Sequence, residues 1–226
     1  MFNPDGSEFE RSGNGLRILG SYLAGEGLVD KDPFEVSVGG DVISLEVMRQ
    51  DSLGNYDVKV NMGTANLGND AVHFDSRGLD DDGRLKLGDY GCFELNLVSM
   101  GNPHCVVFPN NWNPNLLEQI GPLLCEHESF RSGTNVQLAR FVAEGVIEVL
   151  IWERGVGVTS ASGTSACAVA VAAVQSSRAN PGEFQIQMQG GPLQVSVDAE
   201  FGVTLRGPVQ EVFQGRLTQG FLASIS

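Results

Sequence analysis

Two tripeptides, Ser12-Gly13-Asn14 and Ser162-Gly163-Thr164, stand 150 residues apart, and each opens a run of small and apolar residues with helical spacing. Each also follows a Glu-Arg pair, Glu10-Arg11 in the first case and Glu153-Arg154 in the second. The N-terminus of a helix carries unpaired N–H groups and the positive end of the helix dipole, so two such ends facing one cleft could hold a carboxylate. Gly13, Gly15 and Gly163 would let a ligand approach the backbone closely, although the same glycines also suit tight strand-to-helix turns. Asn3, Asn14, Asn102 and Asn135 stand near Gly or Pro turn signals. Their amides could read a zwitterionic ligand, though Asn in a turn is more often structural. Glu153-Arg154 ends a strongly apolar run, where emerging charges need a partner or a ligand. His104 follows a predicted strand and reads, on its own, as a satisfied core histidine.

The elements that must position these residues are mostly short strands. Twenty-nine glycines punctuate β-branched or alternating runs at 34–38, 42–49, 56–62, 92–100, 142–152, 183–188, 193–197 and 203–206. Helical patterns cover 13–24, 115–124 and 163–177. The fold class is therefore mixed α+β with sheet in the majority, and the paired helix starts suggest a two-lobed pseudo-repeat.

A chain of 226 residues with 42% hydrophobic and 19% charged residues can bury a substantial core. Twenty-eight acidic side chains against 14 basic ones give a net charge of -14, which opposes a phosphate backbone or an anionic membrane surface. The longest weakly polar run, 163–174, falls well short of the roughly 20 residues that span a bilayer. No basic and apolar leader precedes it, so a cytoplasmic address is expected. Four cysteines without C-x-x-C and three scattered histidines indicate neither a disulfide framework nor a metal site.

Taken in order, Phe2-Asn3-Pro4-Asp5-Gly6-Ser7-Glu8, Ser12-Gly13-Asn14-Gly15-Leu16-Arg17, Met100-Gly101-Asn102-Pro103-His104-Cys105-Val106, Asn135-Val136-Gln137, Glu153-Arg154-Gly155-Val156-Gly157 and Ser162-Gly163-Thr164-Ser165-Ala166-Cys167-Ala168 resemble the ordered motifs of the diaminopimelate epimerase family. Gly207-Pro208 and Val212-Phe213-Gln214-Gly215 fit that family's closing strand. The resemblance implies two pseudo-symmetric lobes, each a curved, mostly antiparallel sheet around a central helix. Residues 1–66 with 208–226 would form an incomplete N-terminal lobe and 67–207 the C-terminal lobe. It further implies an amino-acid substrate like diaminopimelate, no pyridoxal phosphate, no metal, and homodimerisation. The reaction removes a proton from Cα on one face and returns one on the other, so it needs two opposed bases. By matching motif position these are Ser12 and Ser162. The amides of Gly13, Asn14, Gly163 and Thr164, with Asn3, would bind the α-carboxylate and α-amino region. Asn102, Asn135, Glu153 and Arg154 would bind the distal groups, and His104 would stand behind one catalytic position.

Two departures from the family set expectations. In the family both bases are cysteines, whereas a serine hydroxyl titrates far above a thiol and needs an activating base, for which His104 and Glu153 are the candidates. Racemisation is therefore expected to be very weak or absent. The alternatives are a non-catalytic amino-acid-binding pseudoenzyme or a related isomerase or dehydratase of the same fold. Cys→Ser is also the habitual inactivating change, while Ile18, where the family often has a second cysteine, favours natural divergence. The second departure is at the N-terminus, where only 11 residues precede Ser12. The missing strands are expected to leave an open sheet edge, through truncation or for a second chain to cover.

Overall fold

The computed structural model describes residues 6, 12–29, 33–38, 40–51 and 53–225. Helix α1 (Gly13–Gly25) is followed by strands β1 (Phe34–Val38), β2 (Asp41–Gln50), β3 (Tyr56–Thr64) and β4 (Asn66–Leu67). After two short 3-10 turns come β5 (Arg84–Lys86), β6 (Cys92–Glu94), β7 (Asn96–Ser99) and β8 (Pro103–Val107). Helix α2 (Leu116–Cys125) then leads into the strands β9 (Asn135–Ala143), β10 (Val146–Glu153) and β11 (Gly157–Thr159). Helix α3 (Gly163–Gln175), strands β12 (Gly182–Met188), β13 (Gly191–Val197) and β14 (Gly202–Val209), and a short helix α4 (Gln219–Ser224) complete the chain.

Among the described residues twelve strands form one sheet in the order β1-β2-β3-β14-β13-β12-β10-β9-β8-β7-β4, with β11 paired to β10; β5 and β6 make a separate ribbon. Pairing is antiparallel except between β8 and β9 and between β10 and β12, whose connections run through α2 and α3 respectively. The fold class read from the sequence, mixed α+β with a curved sheet around few helices, is the observed one. Strand β14 joins the two halves, bonded to β3 on one side and to β13 on the other.

Helix α3 is buried on every side from Gly163 to Ala173. A helix apolar all round belongs in a core, and its Ala, Val and Gly side chains let the sheet wrap it closely. It packs with Leu16 of α1, Leu45 of β2, Val58 and Val60 of β3 and Leu205 of β14 in the principal core. A second core lies across β7–β9, where Leu117, Ile120 and Leu124 of α2 meet Leu97, Cys105, Val107, Val136 and Leu138. Strand β8 and the first half of β9, 135–139, are thus covered on both faces, with Val106 and Ala139 turned to the first core.

Three strand readings differ from the structure. Residues 92–100 split into β6 and β7, which belong to different sheets. Residues 142–152 span a hairpin rather than one strand, turning at Gly145 with φ +66°. Residues 212–215 are outside any strand, with Val212 and Phe213 exposed beyond the end of β14.

Gly121 of α2 lies against the root of the Trp152 indole, where an added Cβ would stand 3.0–3.1 Å from three ring and stem atoms. Gly121→Ala is therefore expected to lower the unfolding free energy by about 1–2 kcal/mol, read as a lower urea midpoint, although alanine in an open helix position gains about 1 kcal/mol over glycine. A raised midpoint would contradict this packing.

Candidate active site

The starts of α1 and α3 meet. A Cβ placed on Gly163 would lie 3.1 Å from the Cα of Gly13 and 3.4 Å from the backbone nitrogen of Asn14, and one on Gly13 would lie 3.3 Å from the Cα of Gly163. Leu205 of β14 forms the floor, its Cδ2 reaching 2.6 Å and 3.0 Å from those same two positions. Only glycine permits this approach, so the two glycines that the sequence offered as either turn or ligand residues are here required by helix-to-helix contact. Each helix start carries roughly half a positive charge, and two brought together repel unless an anion sits between or beside them.

Both serines cap their own helices. Ser12 Oγ accepts a hydrogen bond from the Gly15 N–H at 3.1 Å, and Ser162 Oγ accepts from the Ser165 N–H at 3.4 Å. Ser162 is buried and its Oγ also lies 3.5 Å from Thr164 Oγ1, while Ser12 is half-buried. Ser is among the best helix caps, so the two hydroxyls are positioned symmetrically by the same local chemistry.

Neither activating base proposed from the sequence is bonded to a serine. His104 is fully buried; its Nε2 pairs with Asn102 Oδ1 at 2.9 Å and its Nδ1 with Gln137 Nε2 at 3.1 Å. Because Gln137 Nε2 donates, Nδ1 accepts, which assigns the ring proton to Nε2. Gln137 Nε2 also donates to Ser165 Oγ at 3.0 Å, so His104 reaches the first turn of α3 through two side chains. Burial lowers its pKa to about 3, with the Arg154 charge assisting. It is neutral near pH 7 and a poor proton acceptor.

Glu153 and Arg154 leave the end of β10. Glu153 Oε2 accepts from Thr159 Oγ1 at 3.0 Å. The Arg154 backbone N–H donates to Asn135 Oδ1 at 2.9 Å and its Nη1 to the Ser132 carbonyl at 2.8 Å. Asn135 Nδ2 donates in turn to the Pro103 carbonyl at 3.0 Å, so this amide ties β8, β9 and β10 together with both of its ends. Asn14 Oδ1 accepts from Arg17 Nη2 at 3.2 Å. The structure thus brings Ser12, Gly13, Asn14, Ser162, Gly163 and Thr164 together, and places Asn102, His104, Asn135, Glu153 and Arg154 on linked strand ends. Asn3 lies outside the described residues.

Sequence reasoning quoted Gln137 and Ser165 within motifs but gave neither a role. Polar side chains in apolar runs, both wholly buried here, were the available signal. Among the described residues no group of three or more His, Cys, Asp and Glu could hold a metal ion, and no helix is long and apolar enough to cross a membrane.

The His104 environment sets a pH dependence. The unfolded chain takes up a proton near the ordinary histidine value of 6.5, the folded one only near pH 3, so stability is full above the upper value and is lost as pH falls between them. His104→Gln is expected to be the less stable protein at pH 7, with the gap in urea midpoint closing as pH falls from 6.5 towards 4. A gap independent of pH would refute the assignment.

A family model described as diaminopimelate epimerase matches residues 96–212. A diaminopimelate epimerase of Desulforudis audaxviator is 37% identical over 219 residues, covering 96% of this chain and 77% of the relative. Diaminopimelate epimerase 2 of Nostoc sp. is 33% identical over 230 residues, covering 99% and 76%. Among solved structures, a hydroxyproline epimerase of Agrobacterium vitis superimposes with a TM-score of 0.61 at 16% identity, over 93% of this chain and 68% of that one. A phenazine biosynthesis protein of Bacillus anthracis does so with a TM-score of 0.55 at 15% identity, over 92% and 75%. At such identities the structures speak to the fold alone.

Proposed function

The chain belongs to the diaminopimelate epimerase family, and we propose from that premise that it binds an amino acid like diaminopimelate where α1 and α3 meet, with its α-carboxylate on the two helix starts. The observation that carries this reading is the glycine-to-glycine contact of two capped helix N-termini, which leaves two like dipole ends in want of an anion. In the full reaction one base takes the Cα proton while the other face receives one, and the N–H groups of both first turns stabilise the charge that develops on the carboxylate. Ser12 and Ser162 occupy the two proton-transfer positions. With their oxygens accepting cap hydrogen bonds and no base among the described residues bonded to either, we read the chain as an epimerase by descent whose exchange is very weak or absent.

The same proposal assigns residues 1–66 with 208–226 to one lobe and 67–207 to the other, and takes the chain as a cytoplasmic homodimer. Asn102, Asn135, Glu153 and Arg154 would meet the distal end of the ligand, Arg154 by a carboxylate salt bridge. A non-catalytic amino-acid-binding protein is the second reading, favoured by the engaged serine hydroxyls. The test follows α-proton exchange of LL- and meso-diaminopimelate in deuterated water by NMR, beside calorimetric binding. Binding with little exchange supports the reading. Rapid exchange refutes the weakness of the serine pair, absence of binding refutes the site, and product formed with loss of water points to a dehydratase.

A further inference from the structure

Arg17 is a buried cation with no carboxylate in contact among the described residues. It is 8% exposed, and among the described residues its Nε and Nη1 find no hydrogen-bond partner. Among the same residues its one hydrogen bond is that of Nη2 to Asn14 Oδ1. Helical side chains sweep back towards the N-terminus, and this one does so, from the second turn of α1 to the first. The guanidinium lies against β14, where a Cβ on Gly207 would be 3.4 Å from Nε and 3.5 Å from Cζ.

The nearest ionisable groups supply no charge in contact. Cys167 holds in α3 the place that Arg17 holds in α1, five residues beyond the capping serine, but burial pushes its thiol up to about 12 and leaves it neutral. Asp57 interacts with Arg17 at longer range, and its Oδ2 is taken by Nε and Nη2 of Arg206 at 2.9 Å and 2.6 Å. A buried charge of this kind is costly unless something of opposite sign approaches it. Its hydrogen bond to Asn14 instead ties it to the pair of helix starts, which are already positive.

We propose that Arg17 is a positioning residue of the carboxylate site: it fixes the Asn14 side chain and adds an uncompensated positive charge behind the two helix starts, which a ligand carboxylate neutralises. The inference rests on the proposed binding mode and deepens it. Arg17 does not touch the reacting atoms; it makes the free site electrostatically incomplete, so that binding and stability are coupled through one side chain.

Arg17→Met keeps the length and removes the charge. Arg17→Lys keeps the charge. Thermal melts of the protein and both variants are compared without ligand, with acetate, and with LL-diaminopimelate, alongside titrations of diaminopimelate and of its α-carboxamide. The expected result is that Arg17→Met melts no lower than the parent without ligand, yet binds diaminopimelate at least tenfold more weakly and no longer prefers it to the carboxamide. Arg17→Lys should retain most of that preference. Stabilisation of the parent by acetate but not by diaminopimelate, with the acetate effect lost in Arg17→Met, would uphold the Arg17 inference while the substrate reading fails. Arg17→Met that melts lower and keeps its carboxylate preference would overturn the inference, as would a parent that responds to neither carboxylate.

Discussion

Replacing Ser12 and Ser162 together by cysteine is expected to speed α-proton exchange on diaminopimelate by about a thousandfold or more. A thiol is already a few per cent ionised at neutral pH, while a serine hydroxyl titrates several units higher, each unit being worth about 1.4 kcal/mol. A thousandfold corresponds to about 4 kcal/mol of barrier, less than that difference allows. The starts of α1 and α3 would favour a thiolate at both positions. Either single variant should interconvert the LL and meso forms no faster than the parent, because one face would still lack its acid, even where the one thiol exchanges the proton on its own face. The same change costs stability. Each serine oxygen satisfies an N–H of the first turn, and losing a good cap costs about 1 kcal/mol per helix, so the faster variant should melt lower. Full LL-to-meso epimerisation by Ser12→Cys alone would break the two-base account.

Gly163→Ala is expected to be the most damaging single substitution at the site. Its Cβ would press on backbone atoms, Gly13 Cα at 3.1 Å and Asn14 N at 3.4 Å, which no rotamer change relieves, as well as on Leu205 Cδ2 at 3.0 Å. The helix starts must separate, at about 1–3 kcal/mol of strain. Their N–H groups would then no longer converge, and carboxylate binding should weaken at least tenfold in calorimetry. Gly13→Ala should be milder, since its closest encounter is the Leu205 methyl at 2.6 Å and its backbone contact is longer, 3.3 Å. Equal effects of the two substitutions would argue against the backbone contact as the cause.

Helices α1, α2 and α3 were legible to within two residues at each end, because a serine cap with a following glycine or a strong 3.6-residue pattern marks each of them. The pairing of the two helix starts was suggested by the repeated Ser-Gly together with the Glu-Arg pair before each copy and the glycine-led helix after it. Strands β8 and β9 were not. Both faces of β8 and of β9 over 135–139 are covered, so neither alternates there, and Pro103 and Asn135 at their starts read as turn residues. What the helix starts do to each other was also hidden, since the contact depends on Leu205 and on a strand from the far end of the chain. His104 was correctly weighed as a core histidine; its link through Gln137 to Ser165 spans three elements and leaves no local signature. Arg17 was visible in the first motif, but the lack of a partner for its guanidinium emerges only from the packing.

The position of β14 between β3 and β13 also dictates when the site can exist. Its register sets Leu205 opposite Val60, 145 positions earlier, and Leu205 is the floor beneath both helix starts. Contacts of such separation close large loops and form late in folding. On the ribosome, α1 emerges early and soon finds Leu45 of β2 and Val58 of β3 to cover Gly20, but Gly13 waits for α3 and then for β14 before its own surroundings are complete. The meeting of the two helix starts, where a carboxylate is proposed to bind, is thus incomplete until β14 has been made, and a ligand bound there could stabilise only chains whose synthesis has passed β14.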